Sequence, residues 1–375
     1  MSADADTKTI HHEGDVPLVS IITPSYNQAI YIARTLESVR SQDYPRVEHI
    51  VVDGGSTDGT QQILQEQSFA SWTSAPDRGQ SHALNQGFAR AQGQIVAWLN
   101  SDDMYTPGAI WRAVRALQKR PQAPFVFGAW DIVDESDHLL EHKTAPRSTI
   151  AKLIDPPTGI LPGDGIGQPT VFMCANALRR VGGIDERLHM AMDYDLWVRL
   201  VREGEPTIVE ETQALFRVSS IGKTSFFPPA MWAESFAVIA RYGDARRAHQ
   251  ILLPLYYYAI RHNDDLDGTR RALLVAVERM QAPEQTLLDP RIVLGYTQWS
   301  QAAQAALHGN LARACSYAAA ALHTGALRGP ELALVARGIL IVIAIWRDRL
   351  TSRRTPFETF LRSNAAEPIR SSGKQ

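Results

Sequence analysis

The segment IVAWLNSDD, residues 95–103, ends an apolar run in two adjacent acids, Asp102 and Asp103. Neighbouring carboxylates repel each other, so one of them tends to take up a proton unless a cation offsets the charge. In proteins Mg²⁺ is held by one or two carboxylates together with substrate phosphates. The pair therefore predicts a site where a divalent cation meets a phosphate-bearing ligand. The alternative is that the two acids cap the helix that follows.

The elements that would position this pair are short apolar runs alternating with helical patterns. Strands are predicted at 18–23, 47–53, 69–76 and 94–100, and helices at 31–42, 60–67, 79–93 and 107–119. Strands that alternate with helices indicate a parallel, doubly wound α/β sheet. Ligands of such sheets bind outside the carboxyl ends of the strands.

Polar residues follow each of the four predicted strands, so we expect them to meet along one edge of the sheet. No G-x-G-x-x-G follows the first strand, which disfavours a nicotinamide or flavin enzyme, and the absence of G-x-x-x-x-G-K-[ST] excludes a P-loop. The residues expected at this edge are Pro24, Tyr26, Asn27, Asp53, Asp77, Arg78, Asp102 and Asp103.

Charge is unevenly spread along the 375 residues, whose net charge is −2. Residues 226–375 carry 18 Lys+Arg and 12 Asp+Glu, or +6, which leaves −8 on residues 1–225. An acidic first part without a basic, aromatic-rich patch argues against nucleic acid as a partner. Two cysteines without C-x-x-C spacing predict neither a disulfide framework nor a cysteine metal site, and favour a reducing compartment.

The chain is expected to divide into a tail over 1–15, a catalytic domain over 16–225, an α-helical domain over 226–354 and a flexible tail over 355–375. No apolar run reaches the ~18 residues of a membrane span, and residues 1–15 lack a signal-peptide core. The apolar segment 338–346, flanked by arginines, fits either a helix lying on anionic lipid or a buried helix. We therefore expect a cytoplasmic protein, with peripheral contact at the inner membrane as the open alternative.

Several motifs in order resemble those of the family 2 glycosyltransferases, which have the GT-A fold, a mixed, mainly parallel Rossmann-like sheet. They are VSIITPSYNQAIYIARTLESVRSQDYP, HIVVDGGSTDGT, PDRGQSHALNQG, GQIVAWLNSDD and QPTVFMCANALRRVGGIDERLHMAMDYDLWVRL, within residues 17–225. The resemblance implies an inverting transfer of a sugar from a nucleotide-diphosphate donor to a hydroxyl acceptor, with Mg²⁺ or Mn²⁺ as cofactor. The acceptor would be a glycan, a polysaccharide or a lipid-linked intermediate of the cell envelope.

The resemblance also implies roles for single residues. Pro24 and Tyr26 would line the base pocket, with the Tyr26 ring packed on the base. Asp53 would hydrogen-bond base or ribose, although Asp53 is also a common turn former before glycine. Asp102 would meet the ribose or support the metal, and Asp103 would hold the metal. Asp193 would be the general base.

Other positions are weaker candidates. Gln168 and His189 would contact the acceptor or the sugar, against ordinary structural roles. Arg78 would neutralise phosphate, against the alternative of a solvated arginine, and Lys223 would reach phosphate. Asp195 is interpreted as structural.

The sequence departs from the family pattern at four positions. Gly54 and His82 replace acids, and Ser219 and Gly222 replace a histidine and a serine in the stretch RVSSIGKT, residues 217–224. No histidine metal ligand is therefore expected. The rival function is a catalytically silent scaffold that binds a nucleotide sugar.

Overall fold

The described part of the chain consists of two compact units. The computed structural model describes residues 16–145, 166–219, 222–223, 229–242, 266–268, 270–271, 274–275, 290–307 and 310–323. The units divide between Phe227 and Pro228. The expected tails, 1–15 and 355–375, and the apolar segment 338–346 lie outside the described residues, and the domain boundaries stay a prediction. Within these described ranges, no helix has the length and apolar character that a membrane crossing requires.

The first unit is built on one mixed sheet. Its strands are β1 (Val19–Ser25), β2 (Val47–Asp53), β3 (Ala70–Ser74), β4 (Ile95–Trp98), β5 (Met104–Tyr105), β6 (Phe125–Val133), β7 (Leu139–Lys143), β8 (Phe172–Cys174) and β9 (Thr207–Arg217). Their order is β3-β2-β1-β4-β8-β6-β9-β5, with β7 paired to β6. The predicted α/β class is confirmed.

The strands β3, β2, β1 and β4 are parallel neighbours, as the alternating pattern predicts. Their carboxyl ends therefore lie side by side. β1 continues through Pro24 to Ser25, past the predicted end of the strand. It pairs with β4 only as far as Ile22, so Pro24 lies where β2 is the remaining partner. A proline is tolerated there because its missing N–H costs the sheet little.

Helices cover both faces of the sheet. They are α1 (Ile32–Arg40), α2 (Thr60–Gln65), α3 (Gln80–Arg90), α4 (Ala109–Lys119), α5 (Ala175–Val181) and α6 (Met192–Val201). Ile21 of β1 shares a buried cluster with Ile110 of α4, whereas Val52 of β2 packs with Ala83 of α3 on the other face. The helix α3 lies very close to β1, since a Cβ built on Gly87 would be 2.4 Å from Ile22 Cγ2.

The second part of the sheet contains antiparallel pairs that the sequence pattern does not predict. β6 runs parallel to β9 and antiparallel to β8. The two-residue strand β5 pairs antiparallel with β9, Met104 opposite Leu215. This pairing brings the acids just before β5 to the end of β9.

The second unit is helical where it is described. Its helices are α7 (Pro229–Tyr242), α8 (Pro290–Leu307) and α9 (Leu311–His323). Residues 236–239 of α7 are almost fully buried. α8 and α9 pack against each other, and Asn310 Oδ1 accepts a hydrogen bond from Arg313 N–H at the start of α9 over 3.1 Å. Such side-chain acceptors satisfy the free amides of a first helical turn.

Candidate active site

The carboxyl ends of β1, β2 and β3 meet through register and contact. Ser25 lies opposite Asp53, and Asp53 opposite Ser74. The Ser25 hydroxyl is buried and has no hydrogen-bond partner among the residues that the structure describes. Buried polar groups normally have partners, so this hydroxyl is one polar group at the edge that the described protein groups leave unsatisfied. The predicted convergence of strand ends is present in the fold.

Asp53 lies beneath the turn that follows β2. The residue is 1% exposed, and its Oδ2 accepts hydrogen bonds from Ser56 N–H over 2.9 Å and from Ser74 Oγ–H over 2.6 Å. Gly55 N–H also donates to Oδ2, and the Ser56 hydroxyl donates to Oδ1. Both oxygens are thus occupied by protein donors. This geometry agrees with the turn-forming alternative for Asp53 rather than with a direct contact to the nucleotide.

Asn27 joins the end of β1 to the same turn. It adopts a left-handed backbone conformation with φ of +51°, which asparagine tolerates better than most residues. Its Oδ1 accepts from Thr57 N–H over 2.9 Å, and its own N–H donates to Ser56 Oγ over 2.7 Å. The Asn27 side chain is therefore engaged in holding the loop. The loop presents Tyr26, which is 63% exposed, beside the buried Pro24.

The two acids of the opening motif have different surroundings. Asp103 is 1% exposed, and its Oδ1 and Oδ2 accept hydrogen bonds from Arg217 N–H over 3.0 Å and Asn100 Nδ2–H over 3.1 Å. Asp102 is half-buried, and its carboxylate accepts a hydrogen bond from its own backbone N–H, whereas no other residue within the described ranges donates to it. Asp102 is therefore the acid whose oxygens remain available to a ligand.

Burial decides the protonation behaviour of the pair. It raises the pKa of Asp102, and it raises the pKa of Asp103 well above the ordinary value, where the charge of Asp102 adds to the effect. The positive charge of Arg217 lowers the pKa of both acids in part. A cation at Asp102 would offset the remaining cost of holding two negative charges together.

Arg217, at the end of β9, is the functional residue that the sequence did not single out. Its side chain is fully buried, with Nε donating to the Asp102 carbonyl oxygen over 3.0 Å and Nη1 to the Asp134 carbonyl oxygen over 2.7 Å. Nη2 forms an ion pair with Asp137, and the guanidinium lies 4.8 Å from the centre of the Tyr31 ring. The cation that the acid pair requires is thus supplied in part by the protein.

Asn100 connects the acid pair to Gln168. Asn100 Nδ2 donates to Asp103 Oδ2 and, over 2.8 Å, to Gln168 Oε1. Gln168 is 8% exposed, and its Nε2 donates to the Trp98 carbonyl oxygen over 2.7 Å. Both polar atoms of the Gln168 amide are therefore used within the protein. Its contact with sugar or acceptor stays a prediction.

Lys223 reaches the same network from the segment after β9. Its Nζ donates to Gln80 Oε1 over 3.0 Å, and Gln80 Nε2 donates to Asn100 Oδ1 over 2.8 Å. Gln80 is the first residue of α3. An exposed lysine thus lies two hydrogen bonds away from Asn100, at the edge where a diphosphate is expected.

Asp193 lies in the first turn of α6, as predicted. Its side chain is partly exposed, and its Oδ1 accepts from Tyr194 N–H over 2.7 Å. Asp195, by contrast, is fully buried and pairs with Arg199 over 2.6 Å, which agrees with the structural role expected for it. Leu196 and Leu200 face the core. The helix therefore buries Asp195 completely, whereas Asp193 is partly exposed.

The loop before α6 is fastened to α3. Asn85 Nδ2 donates to the Ile184 carbonyl oxygen, and Ile184 N–H donates back to Asn85 Oδ1, each over 2.9 Å. Ser81 Oγ–H donates to the Leu188 carbonyl oxygen over 2.8 Å, and His189 beside it is exposed. The helix α3 thus contacts both the acid-pair network and the loop that leads to Asp193.

Arg78 lies between these two parts of the site. Its guanidinium is 70% exposed and pairs with Glu186 over 2.7 Å. This pairing, together with a hydrogen bond from Asn85, lowers the pKa of Glu186 against the opposing effect of burial. The charge of Arg78 is therefore shared with a protein carboxylate, which weakens the case for a dedicated phosphate ligand.

The residues present fit a divalent metal that is held jointly with a ligand. Within the described ranges no group of three or more His, Cys, Asp or Glu side chains is close enough to hold an ion alone. One accessible carboxylate, Asp102, with Asp103 behind it, is the small set of hard oxygen donors that Mg²⁺ takes when phosphates complete its coordination.

The chain is similar to known glycosyltransferases. Residues 20–180 match the family described as "Glycosyl transferase family 2". An uncharacterised glycosyltransferase of Rickettsia typhi is 30% identical over 188 residues, which cover 50% of this chain and 59% of that protein. TuaG of Bacillus subtilis, a glycosyltransferase named for teichuronic acid biosynthesis, is 30% identical over 197 residues, or 50% of this chain and 73% of TuaG.

One solved structure shares the fold. The S. aureus TarS fragment 1–349, crystallised in complex with UDP-GlcNAc, has a TM-score of 0.50 and 18% sequence identity, and the match covers 80% of this chain and 89% of that fragment. The chain spans less than two thirds of the Rickettsia relative but nearly three quarters of TuaG. The order of motifs, the mixed sheet and these relatives together show that the chain belongs to glycosyl transferase family 2.

Proposed function

We propose that the protein transfers a glycosyl group from a nucleotide-diphosphate sugar to a hydroxyl of an acceptor, with inversion at the sugar C1. The observation that carries the proposal is the partly exposed Asp102 carboxylate, which follows β4 at the sheet edge beside the buried, hydrogen-bonded Asp103. The TarS structure, which contains a UDP-sugar, supports a donor of this class for the shared fold.

We assign the metal role chiefly to Asp102, which differs from the role that the family resemblance implied for Asp103. Asp103 already accepts hydrogen bonds at both oxygens and is buried, so it positions the loop and adds negative potential. A divalent cation bound at Asp102 would neutralise charge on the departing diphosphate. Lys223, which donates to Gln80 at the same edge, would add positive charge there, and Arg78 would add less because it is paired with Glu186.

Asp193 is proposed as the general base. As the acceptor oxygen forms its bond to C1, the bond from C1 to the diphosphate oxygen breaks on the opposite face, and the hydroxyl proton passes to the Asp193 carboxylate. A single base suffices because inversion requires no covalent intermediate, and a carboxylate within hydrogen-bond reach can take the proton. The fastening of the preceding loop to α3 through Asn85 and Ser81 would hold this base in register with the donor.

The test compares Asp193→Asn with the wild type. Donor binding is measured as thermal stabilisation by a panel of sugar nucleotides with Mn²⁺, and transfer as release of the nucleoside diphosphate in the presence of a lipid-linked glycan extract. The variant should bind the donor like the wild type and lose transfer by about 10²-fold or more. Glu66→Gln, at an exposed position after α2, is the matched control. Transfer by Asp193→Asn at the wild-type rate would place the base elsewhere, and binding without turnover by the wild type would favour the silent scaffold.

We further propose that the acceptor belongs to cell-envelope polysaccharide synthesis and is carried on a lipid. The support is the similarity to TuaG and the arginine-flanked apolar segment 338–346 of the sequence. Such a segment fits the surface of an anionic membrane at its cytoplasmic face. Flotation with anionic liposomes should retain the full chain and lose a chain truncated before Arg337. Equal flotation of the two would remove this support.

A further inference from the structure

The guanidinium of Arg217 is held by two separate segments of the chain. Nε donates to the Asp102 carbonyl oxygen, whereas Nη1 donates to the Asp134 carbonyl oxygen. Nη2 donates to the carboxylate of Asp137. Within the described ranges, the guanidinium donates no hydrogen bond to the carboxylate of Asp102 or Asp103. The charge of Arg217 therefore lies behind the acid pair, while its donors are directed to other groups.

This direction of the donors needs a cause, because arginine and carboxylate readily form paired hydrogen bonds. Burial raises the pKa of Asp102, and the positive charge of Arg217 opposes this effect, so the two groups interact. A guanidinium that turned towards the Asp102 oxygens would occupy them. They would then be lost to a divalent cation. The Asp137 carboxylate, which already binds Nη2, competes against this rearrangement.

Asp137 is fixed in place by the turn between β6 and β7. Its backbone φ is +69°, a left-handed conformation that aspartate and asparagine tolerate better than most residues. Its N–H donates to the Asp134 carbonyl oxygen over 3.2 Å. Asp134 Oδ1 in turn accepts from the N–H groups of Ser136 and His138, over 2.8 and 2.9 Å. The turn therefore presents the Asp137 carboxylate to Arg217 at a defined position.

The other oxygen of Asp137 faces the helix α1. Its Oδ2 pairs with Arg34 over 2.7 Å, and the Arg34 side chain is 49% exposed, whereas that of Arg217 is fully buried. Exposed pairs contribute about 0–1 kcal/mol. Removal of Arg34 or of Asp137 breaks the same exposed pair, but only removal of Asp137 releases Arg217. The two substitutions thus separate the two contacts.

We propose that Asp137 is a positioning residue, which keeps Arg217 away from the Asp102 carboxylate and so leaves that carboxylate open to the divalent cation. This rests on the proposed function, in which the cation binds together with a diphosphate. The charge of Asp137 acts in the same direction, because a negative charge near a cation site favours the cation. Loss of Asp137 removes both effects.

Asp137→Asn removes the charge with little change of shape. Asparagine tolerates the left-handed backbone and keeps an acceptor oxygen. Calorimetry measures the factor by which Mn²⁺ tightens the binding of UDP or GDP relative to binding in EDTA. This factor should fall by roughly 3- to 30-fold. Binding in EDTA should stay equal or become tighter, because one negative charge near the diphosphate is gone. A structural defect would weaken the binding under both conditions.

Two variants provide matched controls. Arg34→Gln breaks the exposed pair and leaves Asp137 on Arg217, so the factor should stay at the wild-type value or rise. Glu141→Gln removes one charge from the same hairpin, where Glu141 pairs with Lys143 over 2.6 Å, and should leave the factor unchanged. A factor that falls equally in Arg34→Gln and Asp137→Asn would overturn the proposal, because the effect would then come from the exposed pair.

Melting temperatures show whether each variant is folded. In a folded Asp137→Asn chain, a fall of less than about threefold contradicts the proposal. If that chain does not fold, Arg34→Gln decides: a factor at or above the wild-type value supports the role of Asp137, and a lower one refutes it. If Mn²⁺ does not tighten nucleotide binding in the wild type, the proposed function itself fails. If Mn²⁺ does so, and equally in Asp137→Asn, this inference alone fails.

Discussion

The main-chain amide of Arg217 lies 3.0 Å from Asp103 Oδ1, and Nε of the same arginine lies 3.0 Å from the Asp102 carbonyl oxygen. One residue of β9 therefore contacts both members of the acid pair, which are more than a hundred positions earlier in the chain. Its buried guanidinium is a permanent positive charge behind the two carboxylates. This arrangement leaves Asp103 buried and Asp102 partly exposed.

Asp102→Asn and Asp103→Asn should fail in different ways. Without the Asp102 charge, Mn²⁺-dependent binding of UDP or GDP should weaken by at least tenfold with little change in stability. Asp103→Asn should lose about 1–3 kcal/mol of unfolding free energy, because an amide offers one acceptor oxygen where two donors, Arg217 N–H and Asn100 Nδ2–H, need partners. Urea unfolding and calorimetric titration measure the two effects. A loss of metal dependence confined to Asp103→Asn would restore the metal role to that residue.

Arg217→Met should destabilise the fold by about 3–5 kcal/mol, because removing one partner leaves buried acceptors and charges uncompensated. Arg34→Met is the matched control, since Arg34 pairs with the same Asp137 but is 49% exposed. Exposed pairs contribute about 0–1 kcal/mol. Chemical unfolding of both variants gives the comparison. If both variants lost a similar free energy of unfolding, the burial of Arg217 would not contribute to stability.

His49 should make the fold sensitive to acid. It is buried in β2, its Nε2 lies 2.9 Å from Thr23 Oγ1, and burial lowers its pKa from 6.5 to about 3. Below pH 6.5 the unfolded chain binds a proton that the folded chain refuses until about pH 3. Stability therefore rises with pH across this window, and His49 alone accounts for up to about 5 kcal/mol of the change.

The measurement is urea unfolding between pH 4.5 and 7.5. The double variant His49→Leu/Thr23→Val removes both polar partners and should lose stability less steeply on acidification than the wild type. His138→Gln, at an exposed histidine, should keep the wild-type slope. If the double variant retained that slope, His49 would have to be protonated in the folded state.

Gly87→Ala tests the close approach of α3 to β1. The added methyl group would meet Ile22 Cγ2 at 2.4 Å, so the helix must shift, at a cost of about 1–3 kcal/mol. The cost should shrink in an Ile22→Ala background, because the clashing group is then gone. Thermal or urea unfolding of the wild type, the two single variants and the double variant gives the coupling free energy between positions 87 and 22. A Gly87→Ala chain as stable as the wild type would mean that the helix adapts freely.

Strands β1, β2 and β4 could be predicted because each is a short, mostly apolar run followed by polar residues, whereas β3 (Ala70–Ser74) has only one buried residue. Parallel pairing then follows from the intervening helices, and with it the convergence of Tyr26, Asp53 and Asp77 at one edge. Runs of this kind carry their own signal, since buried strands must be apolar on both faces. Asp193 was placed correctly at the start of a helix by the spacing of Leu196 and Leu200.

Arg217 could not be predicted in the same way. Its contact with the acids depends on pairing between β9 and the two-residue strand β5, which is too short to show any periodicity. In the stretch RVSSIGKT, the comparison with the family pattern drew attention to Ser219 and Gly222 rather than to Arg217. The sequence nevertheless indicated that such a residue is needed, because two adjacent acids after a buried strand require a positively charged partner.

The role of Asp53 shows a different limit. A nucleotide ligand and a turn former look alike in sequence, since both place an acid at a strand end before glycine. Only the positions of the donors around its oxygens distinguish the two. The same holds for Gln168, whose amide is consumed by Asn100 and Trp98.

The first two turns of α3 have a consequence for engineering. Gln80 bonds to the acid-pair network, and Ser81 and Asn85 bond to the loop that precedes Asp193. Short loops are often swapped between relatives to exchange their donor preference. Such a swap would break the hydrogen bonds that α3 makes to the acid pair's neighbours and to the loop before Asp193. A chimaera should take residues 77–85 and 183–192 from the same parent, because Ser81 and Asn85 bond to residues 184 and 188. Segments from different parents would lose these hydrogen bonds.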